Sequence, residues 1–265
     1  MAAQQLRRVA LVTVGVLTVW LVVLVVLGVV LGDRQAESTA ASIGESMQAT
    51  AAYGDFDLAL VRGHLEIDRL AIRRDDAIGK MSIDVGEVFC DLPPLGLALA
   101  DGECRELRVT GTRLDASTAA LFKIKNPKRK PVRARRVVID DAELAFAPSA
   151  FAPNIGRIAV AIEHAEAGAT RFRTPLSWIF ALEQLRARVE LPGGYAVRVT
   201  YDGSVLSVAS SLFGSSPVEL PLQMPSAENA RDGHDEVELL VATGRDIAAH
   251  LVEQRAENWL RERLH

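Results

Sequence analysis

The side chains able to do chemistry are few and scattered. The five histidines, His64, His164, His234, His250 and His265, have no partner at the spacing of a helical zinc pair or an HExxH motif. No Gly-x-Ser-x-Gly elbow and no phosphate-binding glycine loop occurs. Carboxylates pair at Asp55/Asp57, Asp75/Asp76 and Asp140/Asp141, each where a turn or a wetted strand face would carry them. Asp232, Asp235 and Glu236 cluster without the ordered spacing of a calcium loop, as a polar surface loop would. No nucleophile, base and orienting group can be assembled from this set. The sequence therefore points away from an enzyme, and no cofactor or metal site is expected.

Two features remain. Cys90 and Cys104, the only cysteines, flank the turn-forming stretches Asp91-Leu92-Pro93-Pro94 and Asp101-Gly102. In an oxidising compartment they are disulfide candidates, the closed loop contributing about 3 kcal/mol; two buried free thiols are the alternative. Between Lys123 and Arg136 stand eight basic residues and no acidic one, in a chain of net charge −4. Lys123, Lys125, Lys128, Arg129, Lys130 and Arg133 are candidates for contact with anionic lipid headgroups or an acidic partner. Each charge would add up to about 1 kcal/mol at an anionic surface. A solvated basic loop between strands is the plainer reading. The overall acidity, with a pI near 5.8, argues against nucleic acid as a partner.

The elements around these residues start with an apolar run at 9–31 that contains no charge and no proline. As a helix it covers roughly 34 Å, enough for a hydrocarbon core of about 30 Å. Arg7 and Arg8 precede it, while Asp33, Arg34 and Glu37 follow, which predicts a cytoplasmic N-terminus and an exported remainder. A cleaved signal peptide is the competing reading, but its apolar region is normally much shorter. Residues 32–54, rich in Ala, Ser, Gln and Glu, read as a helical neck or linker.

From Asp55 the pattern changes to period two, over stretches such as Asp55-Phe56-Asp57-Leu58-Ala59-Leu60 and Tyr195-Ala196-Val197-Arg198-Val199-Thr200-Tyr201. Asp202-Gly203 between two such runs marks a hairpin. Nine to twelve strands with one apolar and one wetted face are expected, in a curved, largely antiparallel sheet, either an open groove or sandwich-like. The alternation slips at Arg69-Leu70 and at Asp140-Asp141, each a tight turn or a bulge that curls the sheet. Thr174-Pro175 opens a short helical stretch, and 244–265 reads as an amphipathic helix. The expected organisation is a cytoplasmic 1–8, a transmembrane helix at 9–31, a neck at 32–54 and a β-rich domain at 55–223. A loop at 224–236 and a terminal strand with the helix at 237–265 complete it.

The strand grammar resembles that of AsmA-like proteins (the AsmA/TamB type, with a repeating β-groove). Gly63-His64-Leu65-Glu66-Ile67-Asp68-Arg69-Leu70-Ala71-Ile72 is similar to their first strand, and Cys104-Arg105-Glu106-Leu107-Arg108-Val109-Thr110-Gly111-Thr112-Arg113-Leu114-Asp115 resembles a second strand pair. The stretch from Pro131 to Phe146 is similar to their strand, Asp-Gly-type turn, strand unit. The resemblance implies a single-pass protein of the bacterial inner membrane, periplasmic beyond its anchor. It implies a non-enzymatic role in envelope biogenesis, with phospholipid held on the apolar face of the sheet. A dozen strands would make a groove of roughly 60 Å, too short to reach an outer membrane alone. A scaffold or secretion-system component that docks other envelope proteins is the alternative.

Overall fold

The computed structural model describes residues 48–59, 63–76, 79–93, 103–117, 133–147, 157–172, 176–191, 193–210, 217–226 and 233–264, together with positions 37, 40, 41, 44 and 45. The expected transmembrane segment and Lys123, Lys125, Lys128, Arg129 and Lys130 lie outside the described residues. Alternating Val, Ile and Leu suit a pleated, half-buried surface. The described chain is accordingly mainly β. The strands are β1 (Thr50–Ala52), β2 (Asp55–Ala59), β3 (His64–Asp76), β4 (Gly79–Asp91), β5 (Glu103–Ser117) and β6 (Arg133–Ala147). They continue as β7 (Ile158–Ala167), β8 (Thr170–Arg171), β9 (Leu182–Leu191), β10 (Tyr195–Tyr201), β11 (Val205–Ser210) and β12 (Val218–Pro221). One helix, α1 (Gly233–Leu264), follows.

All the strands belong to one open, curved sheet in the order β1-β3-β4-β5-β6-β7-β9-β10-β11-β12, with β2 also on β3 and β8 also on β6. Every pairing is antiparallel except β5 with β6. The sheet is therefore mixed, because parallel neighbours need a long return connection, here 118–132. Nine steps along the ten-strand path, at about 4.8 Å each, give a breadth of about 43 Å. The expected 60 Å was too long because β2 and β8 lie off that path.

Both slips in the alternation fall inside single strands, and neither is a turn. Arg69 and Asp141 have φ of 54° each, and Gly111 has φ of 66°. The flanking pairs Leu70↔Val85, Val85↔Thr112 and Thr112↔Ala142 place Arg69, Gly86, Gly111 and Asp141 in one row across β3 to β6. On β7 the pairing to β9 shifts register between Ile162 and His164. The inward apolar residues step by three instead of two at this row, from Ile67 to Leu70, Val85 to the half-buried Val88, Ile139 to Ala142 and Ile162 to Ala165. Ile67 and Leu70 belong to one apolar cluster, and Ile139 and Ala142 to another, so the apolar set stays together through the bend. The row is a crease across five strands. It makes Arg133–Phe146, the described part of the stretch expected as two strands and a turn, one kinked strand, and β5 is likewise a single strand.

The hairpin at Asp202-Gly203 is present. Asp202 Oδ1 accepts from the backbone N–H groups of Val205 (2.8 Å) and Ser204 (3.0 Å), and Gly203 takes φ of 94°. Those N–H groups, Val205's above all, hold the Asp202 carboxyl below its ordinary range. Ser177–Ala181 forms a 3-10 turn within the short stretch expected as helix. Positions 37, 40, 41, 44 and 45 of the neck are helical, whereas Thr50–Ala52 is strand.

The C-terminal helix starts at Gly233, so 237–243, expected as strand, are its early turns. Glu236, expected in a surface loop, is 1% exposed in its first turn and accepts from Ser177 Oγ at 3.0 and 3.3 Å. A carboxylate there also meets the positive end of the helix dipole. Ile247 and Leu251 pack on the main apolar cluster, while Val252 is exposed.

Candidate functional site

The two faces of the sheet differ in chemistry. On one, pairings connect Ala51, Ile72, Ile83, Leu114, Leu144, Val160, Val189 and Val197 into an uninterrupted apolar row across eight strands. Its neighbour runs through Leu70, Val85, Thr112, Ala142, Ile162, Ala187, Val199, Val208 and Val218. These rows run across the strands. Ile72, Ile83 and Val197 are buried, but Leu114, Leu144, Val160 and Val189 between them are only half-buried. Four adjacent strands thus leave an accessible apolar stretch, about 14 Å across at the ordinary strand spacing.

Thr112 is the one polar residue in the second row. Its Oγ1 is buried and has no hydrogen-bond partner among the described residues. It lines a cleft of about 350 Å³ at the crease, with Arg69, Asp84, Arg113, Asp141 and Glu143. Arg113 lies 3.7 Å from Glu143, and Asp84 is bonded by Arg73, so the cleft carries largely paired charge and no nucleophile–base set.

The opposite face is a lattice of ion pairs. Glu106 meets Arg108 at 2.7 Å and Arg136 at 3.5 Å, Arg136 meets Glu166 at 2.7 Å, and His164 lies between Glu166 (3.2 Å) and Asp140 (2.7 Å). The Arg136 guanidinium, followed by the His164 hydrogen bond, holds the Glu166 carboxyl below its ordinary value. Arg135 is paired with Glu103 at 2.7 Å. Of the basic run, Arg135 and Arg136 therefore serve the strand lattice, while Arg133 is exposed at the start of β6. These cross-strand pairs join residues about 30 positions apart, which a local reading of the sequence does not reveal.

The remaining candidates are dispersed. Cys90 and Cys104 are joined as a disulfide between β4 and β5, with Cα atoms 5.5 Å apart. His64 stacks on Phe89 and lies 3.5 Å from Asp57, and His250 bonds the Asp246 carbonyl. Asp75 pairs with Lys80, and Asp76 with the buried Arg74. Among the described residues no group of His, Cys, Asp and Glu could hold a metal ion. No helix among them is long and apolar enough to cross a membrane. The apolar rows were legible as period two along each strand, but their alignment across strands depends on register. No protein-family model matches the chain, and no curated protein matches it.

Proposed function

We propose that this chain is a membrane-anchored, AsmA-like protein of the bacterial envelope that binds or conveys lipid, without enzymatic activity. The anchor is the apolar run at 9–31, which places the sheet in the periplasm. The observation that carries the lipid reading is the row Leu114-Leu144-Val160-Val189, half-buried within a longer apolar row and backed by an opposite face that carries ion pairs such as Arg136 with Glu166. An acyl chain needs such a strip: apolar, continuous across strands and free of unpaired polar groups. Lipid extraction from a 48–265 fragment, which keeps β1 and Gln48, secreted into a periplasm and purified without detergent, tests it. Near-stoichiometric phospholipid is expected, and a lipid-free soluble fragment counts against the proposal.

A second reading, an envelope scaffold acting through protein contacts, is favoured by how completely other parts of the same face are buried. Met81, Val137 and Ala165 are at most 2% exposed. A stoichiometric protein partner recovered with a lipid-free chain would select it.

A further inference from the structure

One end of the sheet is marked twice. Arg74 pairs with Met81, Met81 with Ala116, Ala116 with Phe146 and Phe146 with Ile158. The next pair along, Ala159↔Glu190, brings Leu191 to the same level, and Leu191 pairs with Tyr195. Arg74 and Tyr195 therefore stand at the same end of the sheet, in one row.

At the Arg74 side the chain arrives from the neck. Strand β1 begins with Thr50 opposite Arg73, and the buried Arg74 donates to Gln48 Oε1 at 3.3 Å. At the other side Tyr195 caps the β9–β10 hairpin. It is 47% exposed, one of two large apolar residues left open among the described ones, the other being Val252 on α1. Its ring lies against the turn: a Cβ on Gly193 would come 3.2 Å from it, and Gly193 and Gly194 take φ of 90° and 80°. Tyr201, at the opposite end of the same strand, is buried and donates to the Leu222 carbonyl at 3.3 Å. That opposite end of the sheet carries the charged row Glu103, Arg133 and Arg171.

The geometry points to the Arg74–Tyr195 end as the surface that rests on the lipid bilayer, with the Tyr195 ring at headgroup level. This inference rests on the anchored reading above. A short neck brings the end at which it enters close to the membrane, and an amphipathic aromatic ring on a fixed turn suits the interface.

The test uses the full chain in vesicles of phosphatidylethanolamine and phosphatidylglycerol. A fluorescent label is placed by Tyr195→Cys or, at the opposite end, Arg171→Cys, with the Cys90–Cys104 bond left intact. Lipids bearing a nitroxide near the headgroup should quench the label at 195 several-fold more than the label at 171. Stronger quenching at 171, or none at either site in a chain that floats with the vesicles, overturns the inference and leaves the anchor standing. A chain that does not float with the vesicles overturns the anchor, and the inference with it.

Discussion

Gly86 on β4 and Gly111 on β5 face each other at the crease, where a Cβ on Gly86 would lie 3.1 Å from the Thr110 carbonyl oxygen. Gly111 holds φ of 66°, a conformation that costs an ordinary L-residue about 1–2 kcal/mol and a β-branched one more. The bend thus depends on side chains being absent at these two positions. Gly111→Val is expected to destabilise by at least about 2 kcal/mol, and Asp141→Gly, which relieves the same conformation, to be neutral or stabilising by up to about 1 kcal/mol. Denaturant melts of both variants check the contrast.

Thr112 places a hydroxyl without a partner in an otherwise apolar row. Thr112→Val keeps the shape and removes the unmet polar group, so it should raise stability by about 1 kcal/mol. A higher denaturation midpoint with an unchanged slope is the expected result. A loss of stability would reveal a partner for Oγ1.

The Cys90–Cys104 bond closes a loop with a sequence separation of 14. Opening this bond is expected to cost about 3 kcal/mol. Melts of the oxidised and reduced wild type measure it, and a variant with both cysteines replaced by serine should fall below the reduced wild type, because its hydroxyls are buried in the apolar cluster.

The Glu166 carboxyl is held below its ordinary value by Arg136 and His164. A carboxyl depressed in the folded state stabilises the fold in full above its unfolded pKa, and this contribution is lost as pH falls through the folded one. Stability should therefore decline as pH drops through and below the ordinary carboxylate range. Glu166→Gln should show a shallower decline there than wild type, with the two curves running parallel at neutral pH.

Much of this fold was legible because alternation is written along each strand. Tyr195–Tyr201 and the Asp202-Gly203 turn follow directly from it, and so do the slips at Arg69 and Asp141. What alternation cannot specify is a strand's neighbour. A parallel and an antiparallel partner ask the same pattern of β5, so the pairing of β5 with β6 was hidden. The slips could not separate a turn from a kink, since both break the period by one residue. Glu236 looked like a solvated acid because Ser177, its buried partner, lies 59 residues away. The half-buried strip Leu114-Leu144-Val160-Val189 was invisible for a similar reason: four unremarkable aliphatic residues become a surface only once register aligns them.

The lipid reading rests on that strip, and neighbouring residues on β6 allow it to be tested in place. Leu144 belongs to the apolar row, and the exposed Glu143 beside it points to the charged face. A photo-crosslinking amino acid at each position, in the full chain expressed in living bacteria, reports what touches either face. A phospholipid adduct is expected from position 144 and none from position 143. Equal labelling at both positions, or no lipid adduct at 144, would contradict the lipid reading.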